Sequence, residues 1–381
     1  MTTHSDIDTA IDTVTRGEDL TTAGQWQLFW LRFKKHRLAV ISLVVIVSLY
    51  IVAALAEFIA PFDPNLTNAR FTYAPPQGLH LFHEGKFAPN VSRLNMTLNK
   101  ESLRREFTSD PDKPVYLGFF VPAKPYKMLG VIPMETKLFG IKNPKVGDSL
   151  YLFGADRLGR DILSRVLYGA QISLSIGLVG VVVSLVLGVA IGGISGFFGG
   201  WVDVLIQRFI ELLRSIPTIP LWMGLATAIP VSWPPLQTYF CITLIVSLLG
   251  WTSLAREVRG KFLSLRNEDY VIAARLDGMS EIGIIFHHLV PSFTSHIIAT
   301  LTLAIPTMIL SETALSFLGI GLQPPIISWG TLLQEAQNIR AVAQAPWLLF
   351  TPAAAIVIAV LSLNFLGDGL RDAADPYGAT T

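Results

Sequence analysis

Residues 171–196 read QISLSIGLVGVVVSLVLGVAIGGISG and hold no charged side chain. About 20 mostly apolar residues suffice for a helix to cross the roughly 30 Å hydrocarbon core of a bilayer. This run satisfies that requirement alone, and others like it lie on both sides. Residues 38–60 carry one charge, Glu57, near their far end. Between Ser215 and Ala255 the chain has none, and the cluster PVSWPP at 230–235 divides that stretch, because successive prolines remove backbone donors and set a turn. The expected helices there run over 209–230 and 237–255. Two more spans are expected over 292–317 and 347–367, six in all. Composition agrees: of 381 residues 51% are hydrophobic and only 15% charged, against about 25% charged in soluble domains.

Twenty-nine Lys+Arg against 28 Asp+Glu leave no basic excess for a nucleic-acid binder. The apolar content excludes a disordered chain. A single cysteine, Cys241, excludes an intrachain disulfide framework and a multi-thiolate zinc site. The first span follows 37 residues and exceeds the 7–15 apolar positions of a signal peptide, so it reads as a retained helix. Its leading flank, WQLFWLRFKKHR at 26–37, alternates aromatics with cations, which suits an interfacial helix against cytoplasmic lipid headgroups.

With the N-terminus inside, six spans place 256–291 inside as well. That loop carries Arg256, Arg259, Lys261, Arg266 and Arg275, while 231–236 has no cation and 318–346 only Arg340. The arrangement obeys the positive-inside rule. The expected organisation is a cytoplasmic segment 1–37, the first span 38–60, an outside insert 61–155, a core 156–370 and a cytoplasmic tail 371–381. The insert is rich in proline, and KLFGI at 137–141 and SLYLF at 149–153 read as short strands. Residues 99–106, NKESLRRE, predict one short helix. The fold class expected is therefore an all-α polytopic membrane protein with a small β-containing insert between its first two spans.

The loop 256–291 is punctuated like a built object. Asn267 is placed to cap a helix whose first turn holds Glu268 and Asp269. Tyr270, Ala273 and Ala274 follow, and Gly278 falls where a left-handed C′ residue belongs. Ser280 is placed to cap a second helix ending before Pro291. The adjacent small residues Ala273 and Ala274 suit close approach to another surface. The product is a helix–glycine turn–helix elbow, a docking knob for a soluble partner.

The run YVIAARLDG at 270–278, with Pro291 thirteen positions after the glycine, resembles the EAA loop of ABC importer permeases. Ile272 stands where that motif has glutamate, and His288 and Val290 replace its later isoleucine and leucine. GADRLGRDILSR at 154–165, GGWVD at 199–203, SIP at 215–217, ETALSFLGIG at 312–321 and RDAADP at 371–376 resemble the dipeptide, oligopeptide and nickel permeases, second (C-type) subunit. The resemblance implies half of a translocation pathway for peptides or a similar small solute in a cell inner membrane. It implies as partners a second homologous permease, two ATPase subunits and a substrate-binding protein. It also implies that Asn267, Tyr270, Ala273, Ala274, Arg275, Gly278 and Pro291 form the ATPase-coupling loop.

No G-x-x-x-x-G-K-[ST] occurs, so ATP and Mg are expected on partner subunits, with no cofactor and no catalytic residue here. The glycines at 192, 193, 196, 199 and 200 read as close helix packing and a turn. Pro217 and Pro306 lie inside spans and mark either a lined pathway or packing kinks. Glu312, an intramembrane carboxylate, is a gate or substrate candidate by default and equally a structural residue at a helix break. Asp156, Arg160, Asp161 and Arg165 form a candidate ion-pair cluster. His80 and His83 have helical ligand spacing, but the flanking prolines and glycine oppose a helix, so no metal is expected. The alternative function is an ion-coupled secondary transporter, for which neither an internal repeat nor a midplane charge pair is visible.

Overall fold

A computed structural model describes residues 25–100, 105–145, 147–230 and 232–374. The expectations that fall on 1–24 and 375–381 lie outside the described residues. Among those described, five helices are long and apolar enough to cross a membrane: Arg37–Ala54, Ile162–Phe198, Pro235–Leu265, His296–Phe317 and Trp347–Ala374. In chain order the helices are α1 (Gln25–Lys35), α2 (Arg37–Ala54), α3 (Ile162–Phe198), α4 (Gly200–Ser215), α5 (Thr218–Thr227), α6 (Pro235–Leu265), α7 (Asp269–Leu276), α8 (Glu281–Ile284), α9 (Thr294–Phe317), α10 (Trp329–Glu335), α11 (Ile339–Gln344) and α12 (Trp347–Ala374).

The expected span 209–230 is corrected by the structure. It is not one helix but the end of α4 and all of α5, broken at Ile216–Pro217. Ile216 adopts the extended conformation that a following proline demands (φ −82°, ψ 128°), and Pro217 becomes the N-cap residue of α5. Pro306, by contrast, sits buried inside a continuous α9.

α3 and α6 form the central pair. Their contact is lined by Gly188, Gly192 and Gly196, four residues apart on one face of α3. A Cβ on Gly192 would strike the Ala255 backbone and one on Gly196 the Arg259 backbone. Such a small-residue face lets helices approach where lipid removes the hydrophobic drive to associate. α9 and α12 pack together beside this pair, α12 also packs against α2, and Phe29 and Phe33 of α1 join the same core.

Between α2 and α3 stands a four-stranded antiparallel sheet in the order β1-β2-β3-β4: β1 (Leu79–His83), β2 (Lys86–Leu98), β3 (Arg105–Met128) and β4 (Ile132–Ile141). The expected helix at 99–106 is not supported by its described end, since Arg105 and Glu106 open β3. Residues 149–153 form no strand. Their backbone is satisfied elsewhere: Tyr151 N–H donates to Gln77 Oε1, and Gln77 N–H to the Tyr151 carbonyl. His80 and His83 fall on β1, where positions three apart point to opposite faces.

The glycine contact carries a sharp expectation. Gly192→Ala places a methyl group into backbone and should lower the melting temperature in detergent clearly. Gly224→Ala on α5, where a Cβ meets nothing within 4 Å, should leave it unchanged. Equal melting curves for the two variants would contradict the close packing.

Candidate functional site

The elbow begins one residue later than expected. Glu268 is the N-cap residue of α7 and makes no side-chain cap bond, so Asn267 does not cap the helix. The far end is as read. Gly278 is left-handed (φ +79°), its N–H donates to the Arg275 carbonyl, and Met279 N–H donates to the Ala274 carbonyl. This pair of bonds is a Schellman motif. Ser280 then caps α8 by accepting from Gly283 N–H (3.2 Å).

Pro291 does not follow the end of the second arm. The arm continues from α8 into a π-helical turn, Ile285–Leu289, and through Val290–Ser292 before breaking at Phe293. The wider i→i+5 register immediately ahead of the proline accommodates a residue that would interrupt an α ladder.

Two faces of the elbow differ. Val271, Ala274, Ile284, Ile285 and Leu289 are buried with Phe197, Leu254, Val258 and Phe262, fusing the elbow to the ends of α3 and α6. Arg275 lies over the Phe197 ring (5.4 Å) and pairs with Glu281 (3.8 Å). The opposite face carries Tyr270, Ile272, Ala273, Leu276, Ile282 and Phe286 exposed, Leu276 by 83%. The two alanines therefore part company: Ala273 faces out and Ala274 packs inward.

A second tie holds the same region. The Arg259 guanidinium on α6 grips the Asp203 carboxylate at the start of α4, and Ser195 Oγ donates to Asp203 (2.5 Å). The Arg259 hydrogen bond, with a smaller one from Ser195, holds the Asp203 carboxyl below its usual range. The GGWVD turn is thus locked to α6 nine residues before the elbow's N-cap Glu268.

At the insert end of the helices, the ion cluster forms with a different membership. Asp156 Oδ2 accepts from Arg160 (2.5 Å) and Arg165 (2.5 Å), and both arginines donate to Glu335 of α10 (2.8 and 2.9 Å). All four are buried or nearly so. Asp161 is not a member. It is the N-cap of α3, accepting from Ser164 N–H (2.8 Å) and Ser164 Oγ (2.6 Å). Burial raises the Asp161 carboxyl to about 6.

Glu312 has no exposed surface. Its Oε1 accepts from Ser316 Oγ (2.7 Å) and Ser328 Oγ (2.8 Å), and its Oε2 from Ser173 Oγ (3.5 Å). Ser173 Oγ in turn accepts the Trp329 N–H (3.0 Å), and Ser328 caps α10. The carboxylate thus joins α3, α9 and α10 at a point away from any described opening. Pro217 is exposed at the break before α5, and Pro306 is buried in α9 six residues before Glu312. Sequence reasoning missed Glu335 and the elbow-end cluster of Glu257, His296 and Thr300, where Thr300 Oγ1 donates to Glu257 (3.0 Å) and His296 lies 3.7 Å away. Glu335 has no local signal, being 170 residues from Arg165.

Long apolar helices joined by close glycine contacts, with a capped elbow at one end, mark a polytopic helical membrane protein. Residues 188–377 match the binding-protein-dependent transport system inner membrane component family, and residues 24–76 the N-terminal TM domain of oligopeptide transport permease C. The oligopeptide transport system permease protein OppC of Bacillus subtilis is 36% identical over 296 residues, covering 76% of this chain and 93% of its own length. The dipeptide transport system permease protein DppC of Lactococcus lactis is 32% identical over 355 residues, covering 91% and 89%. A solved structure of the MetNI methionine ABC transporter aligns with a TM-score of 0.46 at 18% identity, over 56% of this chain and 98% of that one. The chain belongs to the ABC peptide permease family of binding-protein-dependent transport systems.

Two outcomes follow from the insert-end geometry. Glu335→Gln leaves two buried guanidinium groups sharing one carboxylate and should cost about 3 kcal/mol or more. Arg208→Gln, which breaks an exposed pair with Glu211, should cost less than about 1 kcal/mol; comparable losses in detergent denaturation would argue against the cluster.

The Asp161 carboxyl, held near 6 in the fold against an ordinary value of 3.8, favours the folded state below the lower value. That contribution disappears as pH rises through the higher one. Melting temperature should therefore fall across this window, and Asp161→Asn, which preserves a capping oxygen, should flatten the fall. An unchanged slope in the variant would assign it elsewhere.

Proposed function

We propose that this permease crosses the membrane six times and forms half of a peptide translocation pathway, driven by ATPase subunits that dock on the elbow. The carrying observation is the two-faced elbow: one side fused into the cores of α3 and α6, the other exposed and unpartnered. The end of α4 with α5 supplies the sixth crossing, residues 209–227 reaching about 28 Å at 1.5 Å per residue. Both described termini then lie with the elbow on the cytoplasmic side, and the sheet lies outside, where a substrate-binding protein delivers cargo. The positive-inside distribution supports this orientation.

ATP and Mg belong to the ATPase partners in this reading. Closure of those subunits displaces the elbow as a rigid body, because its buried face, the Arg275 contact with Phe197 and the Arg259–Asp203 pair leave no slack between elbow and helices. The helices then rock between inward and outward openings about a second permease subunit. Ile272, exposed where the related motif has glutamate, makes an apolar rather than polar contact with the ATPase groove. Peptides are the cargo class that the relatives' names support.

The test is uptake of a labelled oligopeptide by the complete transporter in proteoliposomes with enclosed ATP. Ala273→Trp fills the exposed approach face, and Gly278→Val denies the left-handed turn. Each should reduce uptake at least tenfold while the subunit remains inserted at the normal level. Full uptake by both variants would remove the coupling assignment.

A further inference from the structure

The β3–β4 hairpin is poorly explained as a soluble element. β2 pairs with β3 only through Tyr116, so beyond Leu117 the structure is a two-stranded ribbon of β3 and β4. An isolated hairpin of this kind is marginal in water. Its tip, Met128-Leu129-Gly130-Val131-Ile132, is wholly apolar, and Val131 is 78% exposed. Hairpin turns of this kind ordinarily carry Asn or Asp before the Gly, and here Leu129 takes that place before Gly130.

Two bulky residues on the ribbon also hold left-handed backbone, Phe120 (φ 52°) and Leu129 (φ 51°), and both side chains are exposed. At Leu129 the two-residue turn itself requires that backbone, closed by Val131 N–H donating to the Met128 carbonyl, and it sets a large apolar side chain at the tip.

The root of the ribbon shows where it sits. Phe120 contacts Phe58 just past the end of α2 (6.2 Å between centroids). Lys137 donates to the Glu57 carbonyl and lies over the Tyr126 ring (4.3 Å), and Gln171 of α3 donates to Glu57 (2.9 Å). Beyond the exposed apolar stripe of α2, Leu38, Ile41, Val44, Val47 and Ile51, the half-buried Phe58 meets the exposed Phe120 of the ribbon. Between Phe119 and Ile141 the ribbon carries Lys124, Lys127 and the buried Lys137 against one acid, Glu135. An apolar tip on a ribbon of net positive charge matches a phospholipid surface.

We infer that the β3–β4 hairpin lies flat on the outer leaflet, with Leu129, Val131 and Ile132 inserted at the acyl boundary and Lys124 and Lys127 against lipid phosphates. This rests on the reading of α2 as a membrane span with the sheet at its outer end. From Phe119 to Leu129 the ribbon reaches about 33 Å at 3.3 Å per residue.

The experiment uses the complete transporter in nanodiscs of phosphatidylethanolamine and phosphatidylglycerol, in a Cys241→Ser background. An environment-sensitive fluorophore is placed by Val131→Cys at the tip, or by Asp112→Cys on the first half of β3 as an aqueous reference. The tip label should emit to the blue of the reference and be quenched by lipids spin-labelled near the headgroup. Lys124→Glu with Lys127→Glu should weaken that quenching about twofold or more. A tip label as red and as unquenched as the reference overturns the proposal. So does a blue shift that appears only when the substrate-binding protein is added, which would make the tip a protein contact. The readout is position and not uptake, so a complex that still transports peptide with an unquenched tip fails the hairpin assignment alone.

Discussion

Two apolar helices in lipid gain little from hiding apolar surface, because the solvent they leave is as apolar as the surface they cover. What joins α3 to α6 is distance: Gly188, Gly192 and Gly196 bring backbone against the residues around Leu254, Ala255 and Arg259. The rest of the elbow end depends on that approach. Phe262 reaches the pocket beside Gly193 and becomes fully buried, and the elbow core assembles around it. Arg259, brought alongside Gly196, meets Asp203 just past the end of α3. A larger residue at Gly192 would therefore act at a distance, through the place where the elbow is attached.

The insert end is held by a different physics. There the contacts are charges and hydroxyls out of water: Asp156 and Glu335 shared between Arg160 and Arg165, and Glu312 ringed by three serines. Such networks add little net stability against apolar replacements, yet losing one member strands the others. Their value lies in geometry. Asp156 lies nine residues before Arg165 and Glu335 lies 170 after it, so the cluster fixes α10 against the start of α3. Packing at one end and directional bonds at the other hold α3 in register along the 37 residues of its length.

What the sequence disclosed follows from the range of each interaction. Charge-free runs disclosed the long helices, because the constraint acts residue by residue. Gly278 and Ser280 disclosed the elbow, because caps are local. Asp156, Arg160 and Arg165 were readable as neighbours, whereas Glu335 was not, since only the folded chain brings it near. Hydropathy is blind to a break between two apolar segments, so 209–230 read as one helix although Pro217 divides it. Pro306, of the same residue type, leaves α9 whole, and no local rule separates the two. The π-helical turn before Pro291 similarly required the three-dimensional register to appear.

The exposed surface itself argues that this chain does not work alone. On α2 the exposed stripe is Leu38, Ile41, Val44, Val47 and Ile51, and on α12 it is Phe350, Val357, Ile358, Leu361 and Phe365. Both can face acyl chains at no cost. The unpartnered side of α9 is different: His296, Thr300 and Thr307 lie along it, with Glu257 of α6 beside the first two. Charged and hydroxyl groups along a spanning helix are expensive against lipid and inexpensive against water or a polar protein surface. The same molecule thus carries faces suited to lipid and one face that is not. The proposed reading, one wall of a wet pathway closed by a second subunit, satisfies both at once.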